Sequence, residues 1–403
     1  MAVIVELVHP EVVLTIAAYL DFCYIARQTS FDVASLKALD NALERFCKHR
    51  AIFVKTGVCP DGISLPRQHS IQHYCWLIKQ FGAPYGLSSS LTESAHISAV
   101  KEPWRHSSHF EELLQILVTN QRMDNLAAFH SKLFAAGLLN APLVPEGTQV
   151  IAMDSDDDNI AEIGNKRIEA IVQFANSSVS HYPRYLEELV TSDKVTIPPE
   201  FPDLVRKFLY YQQNPDAPAG HSVDISLCPP YHGKIYVFHS ASATFYAPHS
   251  DLGHRGQPTH QIIHCTPKWR GGPACHDCVF VENDLDLPGF KGLYVGQVLL
   301  LFSLKARGWS QNVPCALIQW FTAVGDQPCD LTGMWMVEPE YDSNNQRVMS
   351  VVHLDCILRP AHLIPIYGHQ HVPHDLPASE SLNAFNGYYV NKYSDYHAYR
   401  LAF

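Results

Sequence analysis

Histidines, a glutamate and basic side chains crowd into Leu65 to Gln121, where the chain reads LPRQHSIQHYCWLIKQFGAPYGLSSSLTESAHISAVKEPWRHSSHFEELLQILVTNQ. His69 and His73 are four residues apart, so on a helix both imidazoles face one site. Glu93 and His96 are three apart and share a helical face in the same way. A carboxylate among imidazoles is equipment for holding a metal or moving a proton; histidines hydrogen-bonded at a polar interface are the plainer alternative. Lys101, Arg105 and Arg122 come next, with Trp104 between the first two. Cations of this kind neutralise phosphates, and an indole stacks on a base or a guanidinium. The simpler alternative is a solvated face, salt-bridged to Glu111 or Glu112.

A second cluster is Cys275-His276-Asp277-Cys278, whose CxxC spacing is that of a zinc half-site, with His260, His264 and Cys265 upstream. His264 and Cys265 are adjacent, which suits tetrahedral ligation poorly. Cys278 opens the apolar run CVFVE, where a buried thiol is ordinary. The expectation is therefore no stoichiometric zinc. The sequence contains no GxGxxG or P-loop for phosphates and no nucleophile elbow.

Helices must position these groups. The spacing predicts one over 66–81, opened by Pro66 and closed by Gly82 with Pro84 beyond, burying Ile71, Tyr74, Leu77, Ile78 and Phe81. A short helix from Thr92 carries Glu93, His96, Val100 and Lys101 and stops before Pro103. A third starts at a Ser108/Glu111 capping box, buries Phe110, Leu113, Leu114, Leu117, Met123 and Leu126, and ends at Gly137. Upstream, helices are expected from Pro10 and over Ser35 to Val54, the latter stopped by Gly57.

The runs LTESAHISAVKEPWRHSS and LLQILVTNQRMDNLAA, with DFCYIARQ at Asp21, FYAPHSDLG at Phe245, GMWMVEP at Gly333 and YYVNKYSDYHAYRLAF at Tyr388, resemble the Plavaka transposases. These are fungal DNA transposons of the Kyakuja-Dileera-Zisupton group, and the resemblance covers nearly the whole chain. It implies a carboxylate-triad enzyme that cuts and joins DNA in the nucleus, with two aspartates and a glutamate on an RNase H-like sheet holding two Mg²⁺ or Mn²⁺ ions. Ions about 3.5–4 Å apart stabilise the attacking and leaving oxygens of an in-line displacement. Glu93 falls where the family carries its glutamate, which makes it the implied catalytic residue and metal ligand. His69, His73 and His96 would be accessories, and Lys101, Trp104, Arg105 and Arg122 the DNA contacts.

The aspartates should lie on strands upstream of the glutamate. Before Glu93 the acidic residues are Glu6, Glu11, Asp21, Asp32, Asp40, Glu44 and Asp61, and none comes after a strand pattern. The expectation is a truncated or relic transposase, without cleavage or strand transfer and with no metal required by this chain alone. Ala95 and His106 stand where the family has lysine and arginine, so two positive charges are missing beside the implied phosphate path.

Composition sets the bounds. With 47% hydrophobic and 17% charged residues the chain is expected to fold, and its net charge of -11 argues against broad nucleic-acid binding. Eleven cysteines without a recognisable secretory signal suit reduced thiols of the nucleus or cytoplasm. No apolar run approaches 18 residues, so no membrane span is expected. The periodicity divides the chain into a helical domain at 1–139 and an acidic, Pro-containing, partly ordered linker at 140–216 that holds the acidic run Asp154 to Asp158. An all-β barrel or sandwich is expected at 217–375, and a C-terminal helix within 376–403, with Leu382, Phe385, Tyr388 and Tyr389 at helical spacing. The class is α+β. Nine strands are expected, at 223–227, 234–239, 243–246, 261–265, 278–282, 297–304, 315–321, 334–338 and 349–354. The last three resemble, in outline, bromo-adjacent-homology (BAH) or SH3-like barrels. That likeness supports an alternative function: a non-enzymatic chromatin- or protein-binding module whose helical domain forms a homodimer.

Overall fold

The computed structural model describes residues 5, 7–63, 66–87, 96–135, 170–174, 184–190, 197–215, 223–245, 259–284, 286–305, 309, 311–368 and 375–402. Pro10 presets the first turn and His9 Nδ1 accepts the Glu11 amide, so α1 runs over Pro10–Ala26. α2 (Val33–His49) opens on a capping box in which Asp32 and Ser35 bond each other's main chain at 2.6 and 2.8 Å. The helix expected to reach Val54 breaks at Arg50 and Ala51, and a separate α3 (Ile52–Lys55) ends before Gly57, φ 74°.

The next expected helix is also divided, into α4 (Pro66–Ser70), a tighter turn at Ile71–His73, and α5 (Tyr74–Phe81), closed by Gly82 at φ 86°. Three residues wound at three per turn rotate the face of α5 by roughly 60° relative to α4. Of the expected inward face, Ile78 is therefore buried with Phe22, Ile25, Leu39 and Ala42, while Leu77 and Phe81 are exposed.

Residues Ile97–Lys101 form a wide i→i+5 turn that leads into α6 (Glu102–Arg105). The helix does not stop before Pro103, because Pro103 occupies the first turn of α6, where a missing N–H costs nothing. The next helix is α7 (Glu112–Ala135). Its expected capping box does not form, since Glu111 sits outside the helix at φ 47°. Gln115 replaces it, accepting from the Ser108 amide (3.0 Å) and donating to Ser108 Oγ (2.9 Å) and the Phe110 carbonyl (2.6 Å). Phe110, Leu113, Leu114, Leu117, Met123 and Leu126, expected inside, are each more than half exposed, whereas Ile116 is buried. Gly137 lies outside the described residues. Among the described residues no helix is long and apolar enough to cross a membrane.

Part of the expected linker is built into the sheet body. It supplies β1 (Ala170–Phe174), β2 (Arg184–Tyr185), α8 (Leu186–Val190) and α9 (Phe201–Gln213). Phe201, Val205, Phe208 and Leu209 share one face of α9 and bury against Ile235, Leu300, Phe302 and Leu317. The run Asp154 to Asp158 lies outside the described residues. The strand expected at 223–227 is a short 3₁₀ turn, Ile225–Leu227, because Asp224 Oδ1 takes the Ser226 amide at 2.9 Å and closes the chain locally.

The remaining strands are β3 (Lys234–Phe238), β4 (Ser240–Phe245), β5 (Thr259–Thr266), β6 (Cys275–His276), β7 (Cys278–Glu282), β8 (Leu293–Leu304), β9 (Val313–Ala323), β10 (Met336–Pro339), β11 (Met349–His353), β12 (Ile357–Ala361), β13 (Leu363–Pro365) and β14 (Tyr388–Val390). All pairings among the described residues are antiparallel. The long β8 and β9 form the spine, and β8 switches partner from β7 to β3 across an irregularity at Val298/Leu300. Such a bulge bends the strand and lets the sheet curl. The smaller sheet β1-β4-β5-β6 closes over it, burying Val172, Ala243, Phe245 and Ile263 against Val279, Val298, Ala316 and Ile318. The result is mixed: helices first, then a nearly closed, barrel-like antiparallel body and a C-terminal helix. Tyr388 and Tyr389, expected in that helix, are instead in β14 between β10 and β13, and α10 covers only Tyr396–Ala402.

The two ends of the chain meet. Tyr24 donates to the Tyr393 carbonyl (2.7 Å), Tyr393 donates to Asp21 (2.8 Å), and Asp21 also pairs with Lys392 (3.0 Å) and Arg45 (2.9 Å).

Candidate nucleic-acid interface

His96, Lys101, Trp104 and Arg105 all stand exposed on the wide turn and α6. Pro103 is buried beneath this segment, and Asn120 of α7 donates to the Ala99 carbonyl at 2.7 Å. Trp104 stacks on His109 at 4.2 Å with the rings 9° apart, which fixes the indole while leaving it 44% exposed. No acidic partner reaches Lys101, Arg105 or Arg122 among the described residues, so the salt bridges to Glu111 or Glu112 do not form. Arg122 is exposed too, but it lies two residues beyond Asn120 and so roughly 200° round α7 from the contact with the turn. It is not part of the same patch.

His69 and His73 do come together, Nε2 to Nε2 at 3.3 Å with rings edge to face. Both are at the exposed junction of α4 and the tight turn. No hydrogen bond or ring contact links either to His96 among the described residues. Glu93 lies outside the described residues.

Mg²⁺ and Mn²⁺ require hard oxygen donors. Among the described residues, the one group of three metal-ligating side chains within mutual reach is His264, Cys275 and Asp277. An imidazole and a thiol in that set do not fit Mg²⁺, so no two-metal step is derived from these residues. The grouping also differs from the CxxC reading. Cys278 points into the core with Phe280 and Phe321, and burial pushes its thiol far above the ordinary range. Cys265 is likewise buried, and His260 is engaged with Thr244 Oγ1 at 2.9 Å. Asp277, overlooked in sequence because it sits inside the CxxC, accepts both the main-chain N–H of His264 (2.7 Å) and its Nδ1–H (2.9 Å).

Residues from Tyr388 to Ala402 are held by a buried polar cluster. Asp395 grips the buried Arg359 with both oxygens, Arg359 donates to His397 Nδ1 (2.9 Å), and Arg359 and His397 both pack on the Phe245 ring. Burial, reinforced by the Arg359 charge, pushes His397 down to about 3. These residues lock α10 to the sheet body. No protein family, curated protein or solved structure matches the chain.

Proposed function

We propose that this chain derives from a Plavaka-type DNA transposase, that the segment His96 to Arg105 is its contact with DNA, and that it has no strand-cutting activity of its own. The observation that carries this reading is the exposed trio Lys101, Trp104 and Arg105, its cations unpaired among the described residues. Unpaired cations around an exposed indole are what a phosphate backbone with an unstacked base requires. In this reading the N-terminal helices descend from the helical insertion and last helix of an RNase H-like fold, Glu93 is a triad carboxylate, and the protein works in the nucleus. Two-metal displacement needs all three carboxylates, and the sequence before Glu93 offers no strand-patterned aspartate. Supercoiled plasmid should therefore stay intact with this chain in Mg²⁺ or Mn²⁺. Metal-dependent nicking abolished by Glu93→Gln would refute the loss of activity. Single-stranded DNA binding across a salt series tests the contact: Lys101→Gln with Arg105→Gln should reduce the log–log slope by roughly 1.4, two phosphates' worth. An unchanged slope removes the DNA reading.

A second reading is favoured by α7. Leu113, Leu114, Leu117, Met123, Leu126 and Phe129 are exposed on it, and large apolar side chains gathered on one exposed helix mark a surface that takes a partner. This supports a non-enzymatic module in which the helices form a homodimer and the BAH-like or SH3-like body takes a chromatin protein. Light scattering discriminates: a dimer that dissociates on Leu114→Lys with Leu117→Lys supports the module, and a monomer at every concentration removes its dimer.

A further inference from the structure

We infer that His264, Cys275 and Asp277 form a zinc-type site with three protein ligands and an open fourth position. The fold assembles it from two places. His264 stands near the end of β5, and Cys275 and Asp277 flank His276 where β6 hands over to β7. The register Cys265↔His276 and Thr266↔Cys275 brings them side by side, and the Asp277 amide donates to the His264 carbonyl at 2.9 Å. Their nitrogen, sulfur and oxygen donors all lie within 4.8 Å of one another. Two of the separations are 2.9 Å, His264 Nδ1 to Asp277 Oδ2, and 3.6 Å, Cys275 Sγ to Asp277 Oδ1. Ligand atoms around tetrahedral zinc are roughly 3.3–3.6 Å apart, so His264 and Cys275, which now bond different oxygens of Asp277, must draw in by up to roughly 1 Å to share an ion.

The donor set selects the ion. Imidazole, thiolate and carboxylate together suit borderline-soft Zn²⁺, and Co²⁺ as its spectroscopic stand-in, over Mg²⁺ or Ca²⁺. The surroundings suit it as well. Asp277 is oriented by the His264 amide, and the Trp269 ring packs edge-on against the His264 imidazole at 4.1 Å. The His264 and Asp277 side chains keep 22% and 29% of their surface, which leaves a route for the ion and room for a water ligand.

The proton balance is simple. Without metal, the Cys275 thiol donates to Asp277 and the His264 Nδ1–H does the same. On binding, sulfur gives its proton to solvent, and neutral His264 exchanges Nδ1–H for Nε2–H, so one proton is released per ion. Because a proton leaves as the ion enters, affinity should fall as pH falls.

The test uses the full, reduced chain titrated with Co²⁺. The expected result is a thiolate-to-cobalt charge-transfer band and four-coordinate d–d bands that saturate at one equivalent, with quenching of Trp269 and displacement by Zn²⁺. Cys275→Ser should abolish the charge-transfer band, and Cys47→Ser should leave it intact. His264→Gln should weaken binding by about tenfold or more, and it reports independently should Cys275→Ser fail to fold by circular dichroism. Absence of a saturating band would overturn the inference. So would a band that survives both Cys275→Ser and His264→Gln, because another of the cysteines would then be the ligand.

Discussion

Replacing Asp21 by alanine tests how the two ends of the chain are joined. Asp21 is 7% exposed and sits on α1 facing three groups: the Lys392 ammonium at 3.0 Å, the Tyr393 hydroxyl at 2.8 Å and Arg45 at 2.9 Å. The Arg45 side chain is half in solvent, so its share is small. The Lys392 side chain is 6% exposed, and removing the anion it faces from a buried pair costs about 3–5 kcal/mol. The lower end applies here, because Lys392 also lies over the Tyr393 and Tyr399 rings, which continue to hold the cation. Asp21→Ala should thus destabilise the fold by about 3 kcal/mol, read from urea unfolding. In a double-mutant cycle with Lys392→Met the two costs should overlap by about 1–3 kcal/mol. The pH dependence has a definite sign. Burial lowers the Lys392 pKa and Asp21 partly restores it, so the variant lowers it further. A lysine depressed below 10.5 in the folded state makes stability rise with pH below that value, and the variant should show this over a wider range. A loss under about 1 kcal/mol, or strict additivity with Lys392→Met, would refute the argument that a buried charge pair ties α1 to the sheet body.

His397 is held neutral down to about 3 against an ordinary 6.5. The unfolded chain therefore binds a proton that the fold refuses, and stability falls as pH drops from about 6.5 toward 3; His397→Gln should flatten that slope in acid-unfolding curves. A Cβ at Gly296 in β8 would meet Ile318 Cγ2 at 2.2 Å, so Gly296→Ala should cost about 1–3 kcal/mol in the same urea assay. Limited proteolysis is expected to cut first between Pro142 and Asn159, where the sequence patterning is weakest. The fragments should still co-elute on gel filtration, because Asp21 and Tyr24 bond Lys392 and Tyr393; fragments that separate without denaturant would show that the two ends are independent units.

Much of the architecture was legible in local chemistry. Pro10, Gly57, Gly82 and the periodic runs marked α1, α2 and the helix pieces near 66–81, and alternation marked most of β3 to β11, because these signals act within a few residues. The exposure of Lys101, Trp104 and Arg105 was legible too, since the same helical spacing that buries Pro103 turns them outward. Local signals misled where distant contacts competed. Tyr388 and Tyr389 have helical spacing with Leu382 and Phe385, yet open ladders on β10 and β13 claimed them for a strand. The apolar residues of α7 read as a buried stripe, but periodicity says only that a residue wants a partner, not that one is present among the described residues. The same limit hid the His264, Cys275 and Asp277 group, for the CxxC spacing counts neighbours along the chain whereas β5–β6 pairing sets neighbours in space. By itself, then, the sequence determined the helix-then-strand order and which side chains carry charge or ligating atoms. Only the tertiary structure decided which of them meet, because strand register and the Asp21 and Arg359 ion pairs join residues tens to hundreds of positions apart, beyond the reach of any local propensity.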